Sequence, residues 1–268
     1  MKYTFGFIGV GNMGGALACA AKRDGEPFSA LLADLDTAHA SSLAEKLGCD
    51  SGSSADAAQN AKYIFLGVKP QVMEDMLSEI SPILAARKDR FVLVTMAAGL
   101  AMEKISTMSG GKYPIIRIMP NVAASVGEAM ILCAANQLVT AEETDEFMRL
   151  MSGAGRIDML DEKLFDAGCA LSGSGPAYVF MFMEALADGG VACGLPRTKA
   201  LEYAAQTLIG SAKLMLQSGR HPGELKDAVC SPAGTTVAGV AALENDGFRA
   251  AAIDAVKAAY NRSVELGK

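Results

Sequence analysis

The feature that most constrains the fold of this chain is a set of three spaced glycines near its start. The set follows the pattern G-x-G-x-x-G and consists of Gly9, Val10, Gly11, Asn12, Met13 and Gly14. An apolar, strand-like stretch, Phe5–Val10, leads into it, and a helix-like stretch through about Asp24 follows. In a strand–turn–helix unit the first glycine permits a tight turn, the second lets the backbone approach a pyrophosphate, and the third lets helix and strand pack closely. The pattern predicts a dinucleotide-binding loop at a helix N-terminus; a glycine-rich turn that serves packing alone is the alternative.

The first half of the chain alternates strand-like and helix-like stretches. Further buried strands are predicted at Ala30–Leu35, Tyr63–Val68, Phe91–Met96 and Ile115–Ile118. Helices are predicted at Thr37–Leu47 and Gln71–Ala86. Such alternation is typical of βαβ units, so we expect an α/β domain of the Rossmann type, with a doubly wound, mainly parallel sheet, over residues 1–160.

The pattern changes after about residue 160. Ala, Leu, Met and Glu then recur at helical spacing, and breaks rich in Gly, Pro and Ser occur at Ser172–Pro176, Gly194–Pro196, Gly219–Pro222 and Ser231–Gly234. We therefore expect an all-α C-terminal domain over residues 161–268. Its first long helix contains Tyr178–Met183, which is apolar on every side and must be surrounded by protein. A second subunit is expected to supply that cover, which makes this a dimerisation domain, and burial within one subunit is the alternative.

Composition argues against several classes of function. The net charge of -6 gives no general attraction to nucleic acid or anionic lipid. No apolar window approaches the ~20 residues that span a bilayer. The six cysteines are scattered without a C-x-x-C pair, and the only histidines are His39 and His221. No metal site, disulfide framework or Ser-His-Asp triad is therefore indicated, and we expect a cytoplasmic protein with neither nucleic acid nor membrane as a partner.

Asp34 ends the second predicted strand, about twenty residues beyond the glycine loop. An acidic residue at this place accepts hydrogen bonds from the adenosine ribose hydroxyls and repels a 2′-phosphate. No Arg or Lys follows until Lys46, so a cationic clamp for that phosphate is missing locally. The expected cofactor is NADPH or NADH, with Asp34 favouring NADH. A helix-capping or turn role for Asp34 is the alternative.

Several short segments occur in an order that is typical of one enzyme family. They are Phe7–Gly14, Val68–Pro70, Ala97–Leu100, Arg117–Asn121, Leu171–Tyr178, His221–Asp227 and Val229–Thr236. The last three are far more specific than the glycine loop, which many dehydrogenases share. Along essentially its whole length the chain resembles the pyrroline-5-carboxylate reductases.

The resemblance implies a Rossmann domain followed by a helical domain that interlocks with its partner's in a homodimer, in some members within a larger ring of dimers. It implies hydride transfer from NAD(P)H to the C=N carbon of 1-pyrroline-5-carboxylate, which gives L-proline in the last step of proline biosynthesis. Besides the glycine loop and Asp34, the implied cofactor-binding residues are Ser54, Val68, Lys69, Pro70, Ala97, Ala98 and Gly99. The implied substrate-binding residues are Glu162, Asp227, Gly234, Thr235 and Thr236.

Two positions depart from the family pattern. Ser54 stands where many members have a cofactor-contacting Asn, which implies a weaker or water-mediated contact. Val122 and Ala123 follow Asn121 where Thr-Pro is usual.

The substrate carboxylate requires donors in a chain that offers no cationic clamp. Pro232 can begin a helix, Gly234 allows close backbone approach, and the N–H groups that follow point outward. We therefore expect the backbone amides of Thr235 and Thr236 to bind the carboxylate. The Thr236 hydroxyl is the candidate catalytic group, hydrogen-bonded to the imine nitrogen, and two threonines that only cap a helix are the alternative.

Three charged side chains have weaker assignments. Glu162 and Asp227 can favour the protonated imine by Coulomb attraction, and solvated carboxylates are the alternative. Lys69 can meet a phosphate or ribose at the end of a strand, and a solvated lysine is the alternative.

Two other functions fit parts of the same pattern. One is a related NAD(P)-dependent reductase that acts on a 3-hydroxy acid or another imine. The other is a module that binds the dinucleotide as a sensor without turnover.

Overall fold

In a computed structural model, the protein is described at residues 2–23 and 29–267. The predicted end of the first helix, near Asp24, lies outside the described residues.

Eight strands of the described residues form one sheet. They are β1 (Tyr3–Ile8), β2 (Ala30–Ala33), β3 (Asp50–Ser51), β4 (Ala61–Leu66), β5 (Val92–Thr95), β6 (Ile115–Met119), β7 (Ala129–Ala135) and β8 (Gly155–Met159). Their order across the sheet is β3-β2-β1-β4-β5-β6-β7-β8, and every pair is parallel except β6 and β7. This order and the parallel pairing confirm the predicted Rossmann-type fold.

Twelve α-helices connect and follow these strands within the described part of the chain. They are α1 (Asn12–Arg23), α2 (Thr37–Leu47), α3 (Ser54–Asn60), α4 (Met73–Ala86), α5 (Met102–Met108), α6 (Ala141–Leu150), α7 (Phe165–Gly168), α8 (Gly175–Ala192), α9 (Arg197–Ser218), α10 (Pro222–Val229), α11 (Thr235–Asn245) and α12 (Phe248–Leu266). The predicted all-α C-terminal region is confirmed by the last five.

The chain divides into two compact units. The sheet unit comprises Met1–Ser174 together with Ala259–Lys268, and the helical unit comprises Gly175–Ala258. The last turns of α12 therefore belong to the sheet unit, so the chain returns to it after the helical unit. The domain boundary that we place between residues 160 and 161 remains a prediction.

Three predicted strands end two residues early. The strands expected to end at Val10, Leu35 and Val68 end instead at Ile8, Ala33 and Leu66. At the first of these, Gly9 has φ +92°, a left-handed conformation that stops the extended run. The displaced residues become loops at the carboxyl ends of β1, β2 and β4, where ligands of such sheets bind.

The core of the sheet unit is apolar on both faces of the sheet. One face contains an aromatic group in which Phe7 and Phe65 stack with ring centroids 4.4 Å apart and Phe147 packs beside Phe65. All three side chains are fully buried. Strands that are covered on both faces are expected to contain apolar runs without alternation, as Ile64–Leu66 in β4 and Val92–Val94 in β5 do.

The helical unit exposes most of its apolar side chains. Its buried residues are three alanines, Ala187, Ala200 and Ala204. On α8, which carries the predicted all-round apolar stretch, Phe180 is 60% exposed and Met181 is 71% exposed. Exposed apolar area of this extent marks an interaction surface, since large apolar patches are rare on monomers.

Candidate active site

The glycine loop follows β1 and leads into α1, and each glycine has a distinct physical requirement. A β-carbon on Gly9 would lie 2.7 Å from the carbonyl of Gly67, and one on Gly14 would overlap the carbonyl oxygen of Gly9. These two glycines therefore permit close packing of β1, β4 and α1. A β-carbon on Gly11 would meet no atom of the described residues within 4 Å, so this position opens to solvent. The openness at Gly11 fits the approach of a pyrophosphate to the backbone.

Asp34 organises the glycine loop. Its carboxylate accepts a hydrogen bond from the Val10 amide at 2.8 Å and another from the Asp36 amide at 3.0 Å. The Nε2 atom of His39 lies 3.0 Å from the carbonyl oxygen of Val10. Because the Val10 residue is held through both its N–H and its C=O, the loop is ordered in advance of ligand binding.

A cleft of about 510 Å³ lies beside this loop in the sheet unit. Six of the predicted cofactor residues line it, namely Gly9, Gly11, Asp34, Ser54, Val68 and Lys69. Val10, Asn12, Met13, Gly14 and Pro70 flank these positions in the chain without lining the cleft. The structure thus brings together the loop, the end of β2, the start of α3 and the end of β4.

Seven other residues line the same cleft and were missed by the sequence analysis. They are Ile8, Leu35, Gly67, Val72, Asp75, Met76 and Glu79. The last four are spaced as i, i+3, i+4 and i+7 over the start of α4, a helical face that the sequence could have indicated. Leu35 is fully exposed in the cleft and offers an apolar surface there.

The second predicted cofactor turn, Ala97–Gly99, follows β5, which is the neighbour of β4 in the sheet. Gly99 has φ +76°, and a β-carbon on it would lie 3.1 Å from the carbonyl oxygen of Leu266. The Ala97 amide lies 3.4 Å from Oγ1 of Thr95, and Ala98 is exposed. Because β1, β4 and β5 are adjacent and parallel, this turn lies at the same edge of the sheet as the glycine loop.

Glu162 lies in the sheet unit and is already paired. Its Oε1 atom accepts hydrogen bonds from Nη1 of Arg117 at 2.9 Å and from the Met102 amide at 2.8 Å. Its side chain is 27% exposed, whereas that of Arg117 is 6% exposed. From the sequence, Arg117 stands out only as part of a family segment, because its pairing with Glu162 spans 45 positions.

Asn121 connects two segments of the sheet unit. Its side-chain oxygen accepts from the Ala123 amide at 3.1 Å, and its Nδ2 donates to the Ser172 carbonyl at 2.9 Å. Val122, one of the two departures from the family pattern, begins a 3-10 turn and is exposed.

The helical unit carries four of the five predicted substrate-binding residues. The expectation that Pro232 begins a helix is wrong: α11 begins at Thr235, and Pro232 lies in a turn that Ala233 closes with φ +57°. A left-handed residue interrupts the helical path, so the helix cannot begin before it. No side chain of the described residues caps this start, which leaves the amides of Thr235 and Thr236 free to donate.

Two further features surround this helix start. A β-carbon on Gly234 would overlap the Ser231 hydroxyl oxygen, so a larger residue here would force the Ser231 side chain to rotate away. Asp227, at the end of α10, is exposed and lies 2.9 Å from Nζ of Lys226, and this hydrogen bond raises the pKa of the Lys226 ammonium. Thr235 and Thr236 are both exposed.

Metal-binding clusters and membrane-spanning helices are both absent among residues 2–23 and 29–267. No three His, Cys, Asp or Glu side chains are grouped to hold a metal ion. No helix in this part of the chain combines the length and the apolar character needed to cross a membrane.

Known proteins resemble the chain over its whole length. A curated pyrroline-5-carboxylate reductase of Escherichia coli (strain K12) is 40% identical over 271 residues, with 100% of both chains covered. Another from Pisum sativum is 41% identical, covering 99% of this chain and 96% of the relative. The chain belongs to the pyrroline-5-carboxylate reductase family. The family predicted from the sequence segments is thereby confirmed.

Family models and solved structures agree with this assignment. A model described as pyrroline-5-carboxylate reductase dimerisation matches residues 162–266, and one described as NADP oxidoreductase, coenzyme F420-dependent, matches residues 4–99. The structure of a pyrroline-5-carboxylate reductase from Coxiella burnetii has a TM-score of 0.91 at 29% identity, with both chains fully covered. That of the Plasmodium falciparum enzyme with NADP bound has a TM-score of 0.87 at 29% identity, again with full coverage.

Proposed function

We propose that this protein reduces 1-pyrroline-5-carboxylate to L-proline with a reduced nicotinamide dinucleotide, the last step of proline biosynthesis. The observation that carries the proposal is a cleft, open at Gly11 and walled by Asp34 and Lys69, in a member of this reductase family. The six cysteines are free thiols, which is typical of a reducing compartment such as the cytoplasm.

The cofactor is held by the loops at the carboxyl edge of the sheet. The amides of the glycine loop and the N-terminus of α1 serve the pyrophosphate, and Asp34 serves the adenosine ribose. Val68 and Lys69 line the cleft and, with Pro70 after them, serve the nicotinamide ribose, while Ser54 lines the cleft at the start of α3. The Ala97–Gly99 turn, after the neighbouring strand β5, supplies a second contact with the cofactor. The bound cofactor supplies the hydride, and the protein supplies orientation and electrostatics.

The substrate is held mainly by the start of α11. The free amides of Thr235 and Thr236 bind its carboxylate at the positive end of the helix, which explains how a chain of net charge -6 binds an acid. Gly234 lets the substrate approach the backbone, and the Thr236 hydroxyl hydrogen-bonds the ring nitrogen.

Protonation of the imine needs no strong general acid in the site. A cyclic imine can be protonated in solution before the hydride arrives, so the residues have only to favour the iminium and hold it. Glu162 and Asp227 contribute negative charge to this end. Each already has a cationic neighbour, Arg117 and Lys226, so their contribution is smaller than that of an unpaired carboxylate.

A steady-state assay tests the proposed reaction. Mixing the protein with reduced dinucleotide and 1-pyrroline-5-carboxylate is expected to oxidise the cofactor and to form an equal amount of L-proline. Turnover of a 3-hydroxy acid instead would identify a different reductase of the same architecture. Calorimetric binding of the dinucleotide without oxidation on addition of the imine would indicate a sensor and would overturn the proposal.

We propose that NADH is the preferred cofactor, and a charge change at Asp34 tests this. Asp34→Asn removes the negative charge but keeps an acceptor for the Val10 amide. The ratio of kcat/KM for NADPH to that for NADH is expected to rise about tenfold, which corresponds to about 1.4 kcal/mol less repulsion of a 2′-phosphate. Asp36→Asn is the matched control, because Asp36 caps α2 and does not line the cleft. A strong NADPH preference of the unaltered protein would refute the proposal.

We propose that the helical unit forms a homodimer through its exposed apolar side chains. Sedimentation is expected to give at least twice the chain mass of 27.8 kDa, and a larger even multiple would support a ring of dimers. Met181→Glu places a charge on the most exposed apolar side chain of α8 and is expected to yield monomers. Leu138→Glu, at an exposed leucine of the sheet unit, is expected to leave the dimer intact. An unaltered protein that sediments as a monomer would contradict the dimer.

A further inference from the structure

Arg117 is a charged residue in the middle of the sheet. It lies on β6, its side chain is 6% exposed, and its guanidinium carbon stands 4.8 Å from the ring centroid of Phe165. Its Nε atom is buried and has no hydrogen-bond partner among the described residues. A buried guanidinium with an unsatisfied donor lowers stability, so packing alone does not explain this side chain.

The ion-pair partner of Arg117 also accepts a hydrogen bond from the first turn of a helix. Glu162, its partner, uses the same Oε1 atom to accept from the amide of Met102, the first residue of α5. That amide is one of the orphan donors of a helix N-terminus, and no side chain of α5 or of Ala101 caps it. The residues immediately before α5 form the Ala97–Gly99 turn. Arg117 thus fixes, through Glu162, the carboxyl-terminal end of that turn.

The other side of the turn is fixed by the same segment of the chain. The Ser263 hydroxyl donates to Asp166 at 2.6 Å, four residues after Glu162. This bond holds the last turn of α12, whose Leu266 carbonyl would lie 3.1 Å from a β-carbon on Gly99. Glu162 therefore holds the residues after the Ala97–Gly99 turn, and Asp166 holds the end of α12 that packs against Gly99.

We propose that Arg117 is a positioning residue for cofactor binding: through Glu162 it holds the Ala97–Gly99 turn in the conformation that contacts the dinucleotide. This rests on the assignment of the turn to the cofactor in the proposed function. Arg117 does not touch the cofactor. Its guanidinium positions the Oε1 atom of Glu162, and that atom positions the Met102 amide by accepting its hydrogen bond.

The sheet unit contains a close match that separates positioning from stability. Arg87 has a side chain that is 4% exposed, pairs with Asp89 at 2.8 Å and stands 4.6 Å from the Phe91 ring centroid. It also donates to the carbonyls of Ala58 and Ala61, at the opposite, amino-terminal edge of the sheet. Arg87→Met therefore removes an equally buried guanidinium far along the strands from the cofactor loops.

The test measures dinucleotide affinity by fluorescence titration and steady-state kinetics on the full-length protein. Arg117→Met is expected to raise Kd and KM for the reduced dinucleotide about 10- to 100-fold, the effect of misplacing a binding group by roughly 1 Å. Arg117→Lys keeps the charge and is expected to recover part of the loss. Arg87→Met is expected to lower the unfolding temperature without changing the dinucleotide Kd.

A double variant decides whether Arg117 acts through Glu162. If it does, replacing Arg117 by Met in a Glu162→Ala background raises Kd less than twofold further. Additive effects would overturn the proposal, as would an unchanged Kd in Arg117→Met. If Arg117→Met fails to fold, Arg117→Lys takes its place in the same double-variant comparison with Glu162→Ala, and additive effects would again overturn the proposal. Dinucleotide binding is measured without the imine, so failure of the proposed reaction would show separately, as absent turnover in the unaltered protein.

Discussion

Thr236→Val is expected to lower kcat/KM for the imine by ~10–1000-fold, the range for losing one oriented polar contact in a transition state. Valine keeps the shape of threonine but cannot hydrogen-bond the ring nitrogen. The backbone amide of residue 236 remains, so the carboxylate is still bound and KM for the imine is expected to change less than kcat. Steady-state kinetics at saturating cofactor measures both.

Two further variants show whether the loss is due to the Thr236 hydroxyl. Thr236→Ser retains the hydroxyl and is expected to retain most of the activity. Thr144→Val removes a hydroxyl that donates to the carbonyl of Thr140, the N-cap of α6, and is expected to leave kinetics unchanged. An unaltered kcat/KM in Thr236→Val would remove this residue from the site and would favour a capping role.

Gly11→Ala and Gly14→Ala are expected to fail in opposite ways, although both add one methyl group to the same loop. At Gly11 the added carbon meets no atom of the described residues, so the fold is kept while the dinucleotide is obstructed. Overpacking costs about 1–3 kcal/mol, which corresponds to a Kd for the dinucleotide raised by about 5- to 150-fold. Calorimetric titration measures this change.

At Gly14 the added carbon overlaps the backbone carbonyl of Gly9, which cannot move without displacing β1. We expect the free energy of unfolding to fall by about 3 kcal/mol, as measured by denaturant titration. Gly11→Ala is the matched control for stability, because it adds the same methyl group and is expected to leave the free energy of unfolding nearly unchanged. Equal losses of affinity without loss of stability in both variants would contradict the assigned roles of the two glycines.

The features that the sequence predicts best are local ones. The glycine loop, the strands around it and the helices after residue 160 depend on spacing over a few residues, and the structure contains each of them. Strand ends are less predictable, because apolar residues such as Val10 and Val68 continue a strand-like pattern into loops that line a cleft. The strand β7 was missed even though its seven residues are all apolar and follow Gly127 and Glu128.

The features that the sequence does not predict depend on contacts between distant positions. The pairing of Arg117 with Glu162 and the bond between Ser263 and Asp166 join residues 45 and 97 positions apart. Neither has a spacing that any local pattern would indicate. The start of α11 was placed too early because proline is common in first helical turns, whereas the left-handed Ala233 that prevents it has no signal in its residue type.

The return of the last ten residues to the sheet unit makes the helical unit an insertion rather than an appendage. Chimaeras between relatives should therefore be spliced at two junctions, near Gly175 and near Ala258. A single splice that exchanged everything after Ser174 would also import a foreign partner for Gly99 and Asp166. In such a hybrid the residues that pack against the Ala97–Gly99 turn would come from another protein, even though residues 1–174 were unchanged.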